Sequence, residues 1–199
     1  MFRFHKNGQQ FYVIIDDRIP CLSKDNGQSL PFFARCDNPN LFWVSLVEKA
    51  FAKLHGRYYA LQGGTTEEAL SDLLGPSSHP ENLFIDPLQG TDKTSLFNSL
   101  RILSYNHCVL GCKLDFEMFA QMEEDRKNNF YRLALTKGLQ PRFYYTILDV
   151  REIRTEGRDQ GEPGQVHRLV RIKNPWANSQ EWNGPFNDND SASWTQEVR

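Results

Sequence analysis

Any covalent chemistry in this 199-residue chain would have to come from four cysteines, five histidines and a few polar loops. A thiol reacts as its thiolate, and it becomes one near neutral pH only beside a proton acceptor, a cation or a helix N-terminus. Cys21 follows a strand pattern, Cys36 falls in a loop pattern, and Cys108 and Cys112 flank a change in composition. None has such a neighbour in sequence. Cys108 and Cys112 are too far apart for a Cys-x-x-Cys motif, and no second pair or histidine cluster completes a zinc site, so they read as core thiols. His167 stands in a strand pattern next to Arg168 and near Arg171, which points to a surface position. More informative is the run LVRIKNPW, residues 169–176. Its period-two alternation suits a half-buried strand, and Pro175 must end that strand because it has no N–H for a ladder. Asn174 is thus held at a strand end, with Trp176 and Trp182 close behind. Asn-Pro often does no more than start a turn. Two tryptophans in a polar loop ask for something packed or oriented beneath them. Past them, Glu181, Asp188 and Asp190 make either a solvated acidic loop or part of a cation site. Asp188-x-Asp190 is not an EF-hand, since Ala192, Ser193 and Arg199 occupy positions that need oxygen ligands.

The elements that would position these residues follow from patterning. Phe2 to Phe4, then Asn7-Gly8, then Phe11 to Ile15 reads as a hairpin with a type I′ turn. A helix is predicted from an Asn38 cap and Pro39, burying Val44, Val47, Phe51 and Leu54, and ending at Gly56. Thr65 and Glu68 have capping-box spacing before a second helix that would bury Ala69, Leu70 and Leu73 and stop at Gly75. A third helix spans about Asp92 to Asn106, with Leu96, Leu100 and Leu103 on one face. The charged stretch from Asp115 to Asn129 is a weaker helical pattern. Strands follow over 143–153 and 166–173 around a polar turn, 156–164. A helix-rich part, residues 1–110, therefore precedes a strand-rich part, residues 111–199, in an α+β arrangement. The net charge of -2 excludes a general nucleic-acid or membrane-surface binder. Unpaired cysteines and the lack of a signal-peptide pattern at Met1 imply a reducing, cytoplasmic setting.

Five blocks in order, FYVIIDDRIP, FWVSLVEKAFAKLHGRYYALQGG, TILDVREI, LVRIKNPW and EWNGPFNDNDSASW, resemble the protease core of the calpain family. These are papain-like cysteine endopeptidases regulated by calcium. The resemblance covers nearly the whole chain, with an insertion around 116–132. It implies a papain-like two-lobed core, here with an incomplete helical first lobe and an antiparallel β-rich second lobe. It also gives Asn174 a role, because the family's Asn-Pro-Trp asparagine orients a catalytic histidine and the tryptophan, here Trp176, covers the cleft between lobes. A thiol–imidazole pair needs its ring held in one tautomer, and an amide oxygen does this without adding a charge.

The same resemblance implies lost machinery. Aligned on Leu148 to Val150, the family's Gly-His-Ala-Tyr-Ser motif falls on Arg142-Phe143-Tyr144-Tyr145-Thr146. Phe143 stands at the histidine position and has no proton to exchange. The family's Cys-Trp motif and oxyanion glutamine lie upstream of the VIIDD strand, where about ten residues are present, so they are expected to be absent, whether by fragmentation or truncation. Of the family's two calcium sites, the first would have Ser71 in place of an acid. The second would keep Glu181 and Asp188, with Ala177 replacing a glycine and one residue inserted before Glu181, so that calcium would bind weakly and none would be required. The expected protein is an inactive calpain-like core that binds a protein or peptide partner. The alternatives are a fragment of an active calcium-dependent thiol endopeptidase and, less favoured, a structural component of an assembly.

Overall fold

The computed structural model describes residues 1–27, 29–75, 92–115, 122–155, 164–176 and 180–194. The chain forms two compact units, Met1–Asn82 and Leu83–Arg199. This division differs from the change of lobe expected near Leu110, because the third helix packs on a strand of the second unit.

In the first unit, β1 (Phe2–Lys6) pairs antiparallel with β2 (Gln9–Val13), Phe4 opposite Phe11. Asn7 and Gly8 both take positive φ, 52° and 75°, as a type I′ turn requires. A short second hairpin, β3 (Cys21–Ser23) with β4 (Ser29–Pro31), was not legible in the sequence. Helix α1 (Trp43–Leu54) starts later than predicted, with Phe42 as its cap residue and no side-chain cap. The Asn38 amide instead accepts from the N–H of Asn40 at 3.0 Å, a local turn that competes with a cap. Phe4, Val13 and Ala50 form the core, with Phe2, Ile15, Phe51 and Leu54 packed around it. Lys53 donates to the Ile14 carbonyl at 2.7 Å, and Lys49 donates to Arg18 O and Asp16, so α1 also fastens the end of β2. The first-unit loop before α1 is pinned through Ala34, whose N–H donates to Glu48 at 2.8 Å and whose carbonyl accepts from Ser45 at 2.7 Å.

A 3-10 turn (Tyr58–Leu61) leads to α2 (Thr66–Leu74), where the Thr65 hydroxyl accepts from the Glu68 N–H as the capping-box spacing predicted. The buried face of α2 is not the expected one. Leu73 is exposed, and Asp72 is the buried residue of the helix.

In the second unit, α3 (Lys93–Tyr105) is capped by Asp92, which accepts from Thr94 N–H at 2.9 Å and Ser95 hydroxyl at 2.6 Å. A three-stranded antiparallel sheet follows in the order β5 (Leu110–Lys113), β6 (Tyr144–Thr155), β7 (Gln165–Lys173). Strand β5, four residues long, has too little alternation to be read from sequence. The register shifts between Ile147 and Asp149, so Leu148 is an extra residue on β6. The shift lets Tyr145, Ile147 and Val150 share one face, with Tyr145 and Val150 both buried. Phe97 of α3 is buried, and the Arg168 guanidinium lies 5.4 Å from its ring. The predicted turn at 156–164 lies almost wholly outside the described residues.

Helix α4 (Glu124–Thr136) begins and ends later than the charged stretch suggested. It closes in a Schellman arrangement, with Leu139 N–H donating to Ala134 O and Gly138 N–H to Leu135 O, and Gly138 at φ 80°. Asn183 docks on this end, its side chain donating to Thr136 O at 2.7 Å and its N–H to Lys137 O at 3.2 Å. A Cβ on Gly138 would overlap the Glu181 carbonyl. Gly138→Ala should therefore lose about 2–4 kcal/mol of stability, combining a left-handed backbone with overpacking. Its urea midpoint should fall while that of Arg151→Ala, at an exposed strand position, stays near wild type.

Candidate functional site

The site begins where β7 ends. Lys173 is its last paired residue, opposite Thr146 of β6. Pro175 cannot extend the ladder, and the Asn174 side-chain oxygen accepts from the Trp176 N–H at 3.0 Å, closing an Asx turn. Continuing the antiparallel register past Thr146 and Lys173 sets Tyr145 across from Asn174 and Phe143 across from Trp176. Phe143 and Trp176 meet edge to face, with ring centroids 4.9 Å apart. This is a favourable aromatic geometry. Trp176 nevertheless keeps 61% of its surface exposed.

Two neighbours fix Phe143. Tyr145 is buried, and its hydroxyl accepts from the Gln140 N–H at 2.8 Å. Arg142 takes φ 66°, donates its N–H to Leu114 O at 2.8 Å, and lays its guanidinium 5.4 Å from the Tyr131 ring. A positive φ is costly for arginine and free for glycine. The motif that this stretch resembles has glycine at the place of Arg142.

His167 is half-buried against the Phe186 ring, centroids 5.0 Å apart, and is not the surface residue expected. It pairs with Ile153, seven residues before Asn174, roughly 23 Å at strand spacing. It does not face Phe143. The cysteines are also dispersed: Cys21 and Cys108 are exposed, Cys36 and Cys112 half-buried. Cys108 is therefore no core thiol, because it lies in the turn that leaves α3. Cys112 lies on β5 opposite Tyr145, and burial pushes its thiol pKa up, away from a reactive thiolate.

In the acidic loop Asp190 accepts from Phe186 N–H at 2.8 Å and Ser193 N–H at 3.1 Å. The bonds from Ser193 and Phe186 hold its carboxyl below the usual range. Trp194 donates to Asn187 O at 2.7 Å and Trp182 to Pro185 O at 2.9 Å, so both indoles brace the loop itself. Glu181 and Asp188 are both exposed there, and among the described residues neither belongs to a group of three histidine, cysteine or carboxylate side chains. Ala177 lies outside the described residues.

A model of the calpain family of cysteine proteases matches residues 1–199. The chain belongs to that family. The calpain-type cysteine protease ADL1 of Oryza sativa subsp. japonica is 35% identical over 199 residues, covering 99% of this chain and 8% of that protein. Calpain clp-1 of Caenorhabditis elegans is 34% identical over 200 residues, 97% of this chain and 21% of the relative. Calpain-8 of Rattus norvegicus is 34% identical over 195 residues, with 94% and 23% covered. The chain thus spans less than a quarter of these relatives. The mix of helices and small antiparallel sheets is that of a calpain protease-core domain.

One polar cluster escaped the sequence reading. In the first unit His55, just past α1, meets the buried Asp72 of α2, Nε2 to Oδ2 3.1 Å, while Lys6 Nζ lies 2.9 Å from His55 Nδ1. Glu68 completes a group whose ligand atoms all lie within 4.8 Å of one another. The available signal was Glu68 and Asp72 four apart on one helix face, which the apolar periodicity of Leu70 and Leu73 obscured.

Thiol accessibility gives a direct check on the cysteine placement. Under limiting iodoacetamide at pH 7.5, Cys21 and Cys108 should be alkylated well before Cys112, read by peptide mass spectrometry. Early modification of Cys112 would contradict its burial and its raised pKa.

Proposed function

We propose that this chain is a calpain-family core that does not cleave peptides and that acts by binding a protein or peptide partner. The observation that carries this reading is Phe143, which the resemblance aligns with the family's histidine, packed edge-on against Trp176 beside the Asn-Pro-Trp turn. Acyl transfer from a peptide to a thiol needs a base within hydrogen-bond reach to take the thiol proton and return it to the leaving amine. A phenyl ring does neither. The Asn174 oxygen, which would hold an imidazole, accepts from a backbone N–H instead.

The exposed face of Trp176 is what remains useful. A flat indole held by a second aromatic offers stacking area to an extended peptide at little conformational cost. The acidic balance, net charge -2, disfavours nucleic acid as the partner. Among the described residues no helix is long and apolar enough to cross a membrane. Four free thiols fit a reducing compartment such as the cytoplasm. Calcium, with Glu181 and Asp188 as its nearest acids, would bind in the millimolar range or weaker. Family membership favours a second reading, an active thiol endopeptidase, and one assay separates the two.

Fluorogenic peptide turnover with calcium and reductant, with and without a thiol-directed epoxide, is that assay. Wild-type protein should give no epoxide-sensitive turnover. Phe143→His in the 199-residue chain should give none either, because thiol, base and oxyanion donors act as a unit and a single repair returns almost nothing. Epoxide-sensitive turnover by wild type would overturn the inactive reading. Calorimetry tests calcium separately, and micromolar binding would refute the weak-site reading.

A further inference from the structure

We propose that His55, Glu68 and Asp72 form a site for a borderline transition-metal ion such as Zn2+ or Co2+, guarded in this structure by the Lys6 ammonium. Three features point to a cation site. Asp72 is 6% exposed, and its carboxylate is turned toward an imidazole and an ammonium, not toward water. His55 Nε2 and Asp72 Oδ2 are 3.1 Å apart, close to the roughly 3.3 Å that separates two ligands of one tetrahedral ion with bonds near 2.0–2.2 Å. Glu68, one turn before Asp72 on α2, brings a third ligand atom within 4.8 Å of the others, and its exposed side chain can close that gap by a rotamer change. One imidazole with two carboxylates suits zinc, cobalt or manganese. Calcium, which takes oxygen ligands, is a poor match.

Lys6 supplies the independent observation, because a cation already sits here. Its Nζ is 2.9 Å from His55 Nδ1, 3.4 Å from Nε2 and 3.9 Å from Asp72 Oδ2. Only a position over the imidazole face is that near both ring nitrogens, so the ammonium lies against the ring as a cation while Nε2 meets Asp72. A metal ion on Nε2 needs the lone pair there. Metal and ammonium therefore exclude each other by charge, and the ammonium leaves to solvent when the ion enters. The ion would tie the end of α1 to α2 in place of the lysine contacts.

The test uses the whole chain. Zn2+ titration by calorimetry at pH 7.5 should show one ion bound at this site, and Lys6→Met should tighten it by about tenfold or more, since a like charge within about 4 Å is removed. His55→Ala and Glu68→Gln should each weaken it by about tenfold or more. Glu68 is exposed, so Glu68→Gln keeps the test valid even if a change at the buried cluster impairs folding. Co2+ absorption should show a nitrogen–oxygen site without thiolate charge transfer. Thiolate bands would place the ion on cysteines and overturn the proposal. So would binding unchanged in Glu68→Gln and His55→Ala, or no binding in Lys6→Met.

Discussion

The pairing of β6 with β7, broken once at Leu148, controls most of what the second unit presents. Residues on a strand alternate faces, so Tyr145 and Val150, five apart, would point to opposite sides of a regular strand. The single extra residue restores them to one face, where Ile147 and Val150 lie opposite Ile172 and Val170. The same register delivers the ends of both strands together, so that the residue after β7 and the residues before β6 become neighbours. Pro175 then makes this an end and not a continuation. Everything at the candidate site, the Asx turn of Asn174, the ring contact of Phe143 with Trp176 and the burial of Tyr145, depends on where that register stops.

Beside that register the backbone takes a conformation uncommon for its residue type. Arg142 holds a left-handed conformation that glycine would adopt freely, anchored by its bond to Leu114 O and by the Tyr131 ring. Such a conformation persists only when surrounding contacts over-determine it. The residue after it, Phe143, meets the Trp176 ring edge to face.

In the first unit a different constraint operates. Its core is small, centred on Phe4, Val13 and Ala50, and polar contacts do much of the joining. Lysines of α1 bond to the carbonyls ending β2, and Lys6, His55 and Asp72 connect β1, α1 and α2. A buried carboxylate is tolerable only with such partners. That is why the most enclosed residue of α2 is an aspartate while Leu73 and Leu74 of the same helix stay exposed.

The sequence by itself determined the features set by short-range chemistry. Asn7-Gly8 specified its hairpin turn, Thr65 and Glu68 the start of α2, Asp92 the start of α3, and Pro175 the end of β7, because each acts on backbone groups within a few residues. Ordered motifs also determined the family. Tertiary structure alone decided the rest. Helix α1 began at Trp43, since the Asn38 amide was spent on a nearer N–H. Strand β5 exists only by pairing with β6, and the bulge at Leu148 is defined only against β7. The compact units divide before α3 because that helix packs on β6, although its sequence pattern resembles the helices of the first half. Lys6, His55 and Asp72 were separate, ordinary residues until folding brought them together, because a contact between residues 17 and 49 positions apart leaves no local period in the sequence.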